Sequence, residues 1–155
     1  MPKTVADVMS RDLITVEPQT PIQEAIKTIA ESRIGGLPVI DTEGNLVGIL
    51  SETDLMWRET GVTEPAYITI LDSVIYLENP ARYERELHKA LGQTVEEVMS
   101  KGTLVTTTPD CSLRAAAQLM HEKKVHRLPV LGENDRVVGI LTRGDIIRAM
   151  AAETE

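Results

Sequence analysis

Phenylalanine is missing from this chain, and with one Trp and three Tyr the aromatic fraction is only 3%. Any core is therefore aliphatic, built from Ile, Leu, Val, Ala and Met, and any ligand ring must be gripped with little stacking. Cysteine is almost as scarce. Cys111 stands alone, which excludes an intrachain disulfide framework and a Cys-rich zinc site. Positive charge is in deficit, with 16 Lys and Arg against 24 Asp and Glu and a net charge of -8. Such a balance is a poor match to nucleic acid, whose binding needs phosphate-neutralising cations. Long apolar runs are absent too. The longest, Tyr67 to Leu77, is broken by Thr69, Asp72 and Ser73 and falls short of the roughly 20 residues of a membrane span. The leader MPKTVADVMS has no apolar h-region of a secretory signal. The expectation from these absences is a reduced, cytoplasmic setting with neither nucleic acid nor membrane as partner.

What is present suffices for a folded core: 42% hydrophobic and 26% charged residues over 155 positions. That suits one ordinary domain or two half-domains sharing a core. Self-comparison chooses between them. TVADVMS at Thr4–Ser10 returns as TVEEVMS at Thr94–Ser100, and LITVEP at Leu13–Pro18 as LVTTTP at Leu104–Pro109. RIGGLPVI at Arg33–Ile40 returns as KVHRLPVL at Lys124–Leu131, and LVGILSETDL at Leu46–Leu55 as VVGILTRGDI at Val137–Ile146. Two copies with so long a period do not make a solenoid. They suggest a pseudo-twofold pair, with units at residues 1–58 and 94–152 and an insert at 59–93.

Each copy reads alike. Thr4 and Thr94, with Asp7 and Glu97 three residues on, mark a short capped helix. Leu13–Val16 and Leu104–Thr107 are β-prone. Thr20-Pro21-Ile22-Gln23 places a cap at Thr20 and proline at the first helical position. The helix that follows carries Ile22, Ala25, Ile26 and Ile29 on one face, matched by Leu113, Ala116, Ala117 and Met120. Leu37–Ile40 and Leu46–Leu50 form a hairpin around Asp41–Asn45. Ser51 and Thr142 then cap a final helix with Asp54 and Asp145 at its third position. In the insert, Pro65–Glu78 has no clean period and leans to helix. Asn79-Pro80 starts a better-marked helix that Gly92 ends, with an Arg82–Glu86 pair on its surface. The length of this connection suggests a packing or partner role.

At the hydrophobic-Pro strand and the run G-h-h-[S/T]-x-x-D-h the chain resembles a known family. Leu37-Pro38-Val39 with Gly48–Leu55, and Leu128-Pro129-Val130 with Gly139–Ile146, are similar to the signature of the CBS domain, first named for cystathionine β-synthase. The resemblance covers both repeats and leaves only the insert outside. It implies an α/β module of two CBS units, each a small mixed sheet with helices. In that family the cleft between units commonly takes AMP, ADP, ATP, S-adenosylmethionine or NAD. A flat homodimer, a non-enzymatic regulatory role and signalling to another protein also follow from the resemblance, with no cofactor required.

The same resemblance assigns candidate contacts. Asp54 and Asp145 would accept both ribose hydroxyls. Ser51, Thr53, Thr142, Arg143, His126 and Arg127 would face phosphate, since free helix N–H groups favour anions. Ile14, Gly35, Gly36, Pro38, Thr103, Val105, Val125 and Pro129 would supply backbone groups and aliphatic walls to adenine. His126-Arg127 is similar to a His-Arg pair in the γ subunits of AMP-activated protein kinase. Each assignment has a bland counterpart. S-x-x-D and T-x-x-D also cap helices with no ligand, and Lys123–Arg127 also suits a helix C-terminus. The first two readings are compatible, because a cap can carry a ligand contact.

Other signals are weaker. His121 and His126 have no carboxylate or thiol set around them to complete a metal site. His88 is expected to face solvent. Cys111 lies near a helix start, where a thiolate is favoured, but its position matches Thr20 and reads as an ordinary cap-region residue. Trp57, Tyr67, Tyr76 and Tyr83 fall in or near the insert and suit packing or dimer contacts. No P-loop, GxGxxG or EF-hand spacing occurs, and no nucleophile–base pair stands at matched positions. If the clefts carry no ligand, the chain is instead an interaction module acting through its insert.

Overall fold

The structure is a computed structural model that describes residues 3–63, 65–102 and 104–153. Its elements follow the order α1 (Val5–Val8), α2 (Ile22–Ser32), β1 (Gly36–Ile40), β2 (Leu46–Ser51), α3 (Glu52–Thr60), β3 (Tyr67–Ile70) and β4 (Ser73–Tyr76). Then come α4 (Pro80–Leu91), α5 (Val95–Val98), α6 (Leu113–Lys123), β5 (Arg127–Leu131), β6 (Val137–Thr142) and α7 (Arg143–Glu153). The mixed α/β class is the one expected.

The chain forms two compact units. One contains residues 1–15, 40–47 and 102–155, and the other residues 16–39 and 48–101. These units cut across the sequence repeats, because each leader helix packs with the other repeat's copy. In the first unit, Val5 N–H donates to the Cys111 carbonyl and Ala6 N–H to the Pro109 carbonyl, both at 2.9 Å. In the second, Val95 N–H donates to Thr20 O at 3.0 Å and Glu96 N–H to Pro18 O at 2.9 Å. The four N-terminal amides of a helix lack internal partners, and here loop carbonyls of the neighbouring repeat supply some of them.

Each unit is built on a β-hairpin flanked by two extended segments. In the first unit β5 pairs antiparallel with β6, Thr107 adds a parallel bridge to Val130, and Ser10 an antiparallel bridge to Ile140. In the second, β1 pairs with β2, Val16 bridges Val39 in parallel and Ile49 bridges Ser100. The β-prone runs at Leu13–Val16 and Leu104–Thr107 thus contribute single bridges and no full strands.

The leaders explain the glycine of the repeated motif. A Cβ on Gly48 would stand 2.4 Å from Met99 Sδ and 3.0 Å from the Ser100 carbonyl oxygen. On Gly139 it would stand 2.6 Å from Met9 Sδ and 2.9 Å from Ser10 O. The crossing main chain leaves no room for a side chain.

The core is aliphatic. Leu128, Val130, Leu141, Ala116, Met120, Val5 and Met9 cluster in the first unit. The second unit buries Leu37, Val39, Leu50, Ile22, Ala25, Ile29, Val95 and Val98. Each fully buried Leu, Ile or Val contributes about 1.5–3 kcal/mol of transfer free energy. Helices α2 and α6 both end on a left-handed non-glycine residue, Arg33 at φ 55° and Lys124 at φ 56°. The repeats therefore share even their helix-stop geometry.

Two local expectations need correction. The cap of α2 is Pro21, not Thr20. Thr20 Oγ1 instead accepts the Glu17 N–H at 3.2 Å, while Ile22 N–H donates to Gln93 O at 2.9 Å. Pro65–Glu78 is not helical. Its Tyr, Ile, Thr and Val content suits strands, and β3 and β4 form a hairpin with Ile70 opposite Ser73 across the Leu71-Asp72 turn. Tyr67 and Tyr76 close it edge to face at 6.2 Å.

Candidate functional site

The duplicated S/T-x-x-D runs sit at matched helix starts. Ser51 is the cap of α3 and donates both its N–H (2.9 Å) and its hydroxyl (3.2 Å) to Asp54 Oδ2. Thr142 precedes α7, donates its N–H to Asp145 Oδ2 at 2.9 Å and accepts the Asp145 N–H at 3.1 Å. The capping reading is thus realised at both positions, and what differs is the second carboxylate oxygen.

Asp54 Oδ1 accepts Lys89 Nζ at 2.6 Å and Ser100 Oγ at 2.9 Å. Lys89 spends its remaining protons on the Val98 carbonyl (3.1 Å) and Ser100 Oγ (3.3 Å). A carboxylate has about four acceptor positions and an ammonium three donors, so both groups are saturated. The Asp54 side chain is 6% exposed and that of Lys89 21%. Helix α4, which delivers Lys89, is fastened by Arg58 of α3, whose Nη1 donates to Gly92 O at 2.9 Å and Lys89 O at 3.4 Å. Asn79 caps the other end by accepting the Ala81 N–H at 3.0 Å, and the Arg82–Glu86 pair stands at 3.7 Å on the α4 surface.

Asp145 Oδ1 accepts only from Arg148 Nη2, at 2.6 Å, among the described residues. Arg148 lies one turn along the same helix with its side chain 73% exposed, and such a pair is held weakly. Beside it lies an open cleft of about 270 Å³ lined by Lys3, Asp7, Val8, Asp145, Arg148 and Ala149. Val8 is the repeat partner of Val98 and lines this cleft, and among the described residues no lysine is hydrogen-bonded to Asp145 as Lys89 is to Asp54.

A second hollow touches the same turns of α7. It measures about 350 Å³ and is lined by His121, Lys124, His126 and Arg143, with Ala117, Met120, Val125, Ile146 and Ile147 as its apolar part. Three candidates, Val125, His126 and Arg143, meet here, and Arg143 N–H donates to the His126 carbonyl at 3.1 Å. Among the described residues no acidic side chain lines this hollow, in a chain of net charge -8.

Among the described residues the other candidates line neither of these hollows. Thr53 is exposed on α3, Arg127 half-buried at the start of β5, and Ile14 37% exposed. Gly35 accepts the Glu52 N–H at 3.1 Å, and Gly36 is buried. Pro38 and Pro129 are buried, and their carbonyls already accept Val16 N–H (3.1 Å) and Thr107 N–H (3.0 Å). Val105 packs on the core of the first unit. Thr103 lies outside the described residues. Lys89, Ser100 and Arg148 were missed from sequence. Arg148 had a signal, its i,i+3 spacing from Asp145. Lys89 had none, since it is 35 residues from Asp54. Among the described residues no group of His, Cys, Asp or Glu could hold a metal ion, and no helix is long and apolar enough to cross a membrane.

Comparison with known proteins adds to this geometry. The CBS domain pattern matches residues 5–59 and 95–152. The chloroplastic CBS domain-containing protein CBSX1 of Arabidopsis thaliana is 36% identical over 152 residues, covering 94% of this chain and 63% of that protein. The chain therefore spans less than two thirds of this relative's length. The crystal structure of CBSX2 in complex with AMP superposes with a TM-score of 0.80 at 29% identity, over 98% of this chain and 99% of the other. The CBS domain pair of protein MJ0100, in complex with 5′-methylthioadenosine and S-adenosyl-L-methionine, gives 0.71 at 26% identity, covering 99% of both chains.

Proposed function

The chain belongs to the CBS-domain family, and from that premise we propose that it is a non-enzymatic regulatory module binding an adenosine-containing ligand. Residues 1–58 and 94–152 are its two CBS units and 59–93 the insert. The observation that carries the reading is the start of α7. Asp145 retains acceptor capacity there, two residues from Arg143 at the mouth of the basic hollow. Ribose hydroxyls on Asp145 and phosphate towards Arg143 and His126 place a nucleotide across one helix N-terminus, where anions are favoured. AMP, ADP or ATP fits this charge pattern best, and S-adenosylmethionine and NAD share the ribose contact.

Binding acts by differential affinity for two states of the module, and the output passes to a protein partner. The module works as a homodimer in the cytoplasm. Ile147 and Met150 on α7, 62% and 56% exposed, support self-association, because exposed apolar groups on one helix favour a covering partner. A second reading is favoured by the β3–β4 hairpin, whose Ile68, Ile70 and Ile75 are all exposed: an interaction module acting through its insert with no ligand.

Calorimetry and thermal-shift measurements with AMP, ADP, ATP, NAD and S-adenosylmethionine separate the two. The first reading expects at least one saturable ligand, weakened by Asp145→Ala. A flat response across the panel, with a partner captured regardless of nucleotide, would establish the second.

A further inference from the structure

Duplication provides two equivalent aspartates, and the insert helix that lies between the repeats is hydrogen-bonded to one of them. We infer that Lys89 of the insert helix permanently closes the first of the two ribose sites, so that the chain takes one nucleotide, at Asp145. This rests on Asp145 being the ribose acceptor.

The closure is chemical as well as steric. A ribose diol must donate two hydrogen bonds to a carboxylate. Asp54 already accepts two from Ser51 on Oδ2 and one each from Lys89 and Ser100 on Oδ1. A neutral diol arriving there must displace an ammonium whose three protons are all engaged, on Asp54, Val98 O and Ser100. That exchange gives up a charge-assisted bond for a neutral one and strands a half-buried cation. Arg58 holds the main chain that carries Lys89 in place through Lys89 O and Gly92 O, so the base of the lysine stays seated beside Asp54.

At Asp145 the corresponding group is Arg148, which comes from the same helix and is largely exposed. It can turn to solvent without unseating any element, and the cleft beside it is open. The insert helix thereby converts a symmetric pair of sites into one working site and one structural clasp.

Calorimetric titration of AMP into the full chain tests this. The wild type should bind a single equivalent. Asp145→Asn should weaken binding by about 10- to 100-fold, the range for a lost hydrogen bond to a charged group, and Asp54→Asn should leave affinity unchanged. Lys89→Met, which frees Asp54, should raise the stoichiometry to two. Two equivalents in the wild type, or a comparable loss on Asp54→Asn, would overturn the inference. AMP binding to no variant would overturn the ligand reading and the stoichiometry with it. The clasp is then judged by amide hydrogen exchange: Lys89→Met should speed exchange along α4 and leave α7 unchanged, and equal protection of α4 in both proteins would remove the clasp as well.

Discussion

Asp54 and Asp145 stand at the same position of the same duplicated motif, each at the third residue of a helix with Ser or Thr as its cap. Beyond that cap their surroundings separate. Both side chains are nearly buried, at 6% and 10% exposure, but Asp54 is tied to a lysine from another element, whereas among the described residues the outer oxygen of Asp145 meets only a solvent-exposed arginine of its own helix beside an open cleft. The shared S/T-x-x-D pattern fixes the cap, because capping is a contact across three residues. It does not fix the fate of the outer carboxylate oxygen, which depends on what the rest of the chain brings alongside. The lesson is that a repeated binding signature counts potential sites, and the intervening segment decides which remain available.

The comparison can be broken most directly by deleting each carboxylate. Asp54→Ala leaves a half-buried Lys89 ammonium unpaired, and should cost about 3–5 kcal/mol in urea unfolding. Asp145→Ala removes a cap and a pair whose arginine is largely exposed and should cost about 1 kcal/mol. Equal losses would mean that the two sites are energetically alike. Gly48→Ala and Gly139→Ala probe what the halves share. Each new methyl meets a methionine sulfur and a leader carbonyl, so each should cost about 1–3 kcal/mol, with the two values close. A large gap between them would show that only one leader is firmly seated. Arg148→Ala should change stability by less than about 1 kcal/mol while leaving the urea midpoint far closer to wild type than Asp54→Ala does.

The smallest effect concerns the leaders. The Thr4 backbone N–H, then its hydroxyl, hold the Asp7 carboxyl below its ordinary range, with Lys3 adding to this and burial opposing it. A carboxyl depressed in the folded state stabilises above its unfolded pKa, about 3.9, and loses that contribution as pH falls through the lower folded value. Asp7→Asn should therefore lower the melting temperature slightly at neutral pH. The difference should shrink as pH drops below about 4, which a thermal-melt series would record.

Much of this was legible in the sequence. The repeats, the aliphatic faces of α2 and α6, the hairpins and both Asp caps are short-range patterns, and periodicity or capping chemistry reveals them. The β3–β4 hairpin escaped because Tyr67–Leu77 lacks alternation, both faces being apolar and exposed. The Pro21 cap escaped because the amide it leaves, on Ile22, is satisfied by Gln93 from far along the chain. Lys89 escaped for the same reason: nothing near it in sequence points to Asp54. His126, Val125 and Arg143 do gather at one hollow, and the carbonyls of Pro38 and Pro129 each accept one internal hydrogen bond.

The exchanged leaders carry a consequence of their own. Each four-residue helix is hydrogen-bonded to loops of the copy it does not precede, through Val5 to Cys111 and Val95 to Thr20. A polypeptide holding one copy alone could reproduce that seam only by lending its leader to a second molecule. Severing this chain within the insert should therefore yield two fragments that are each incomplete yet mutually complementary, so that they reassemble as a pair and not as independent halves.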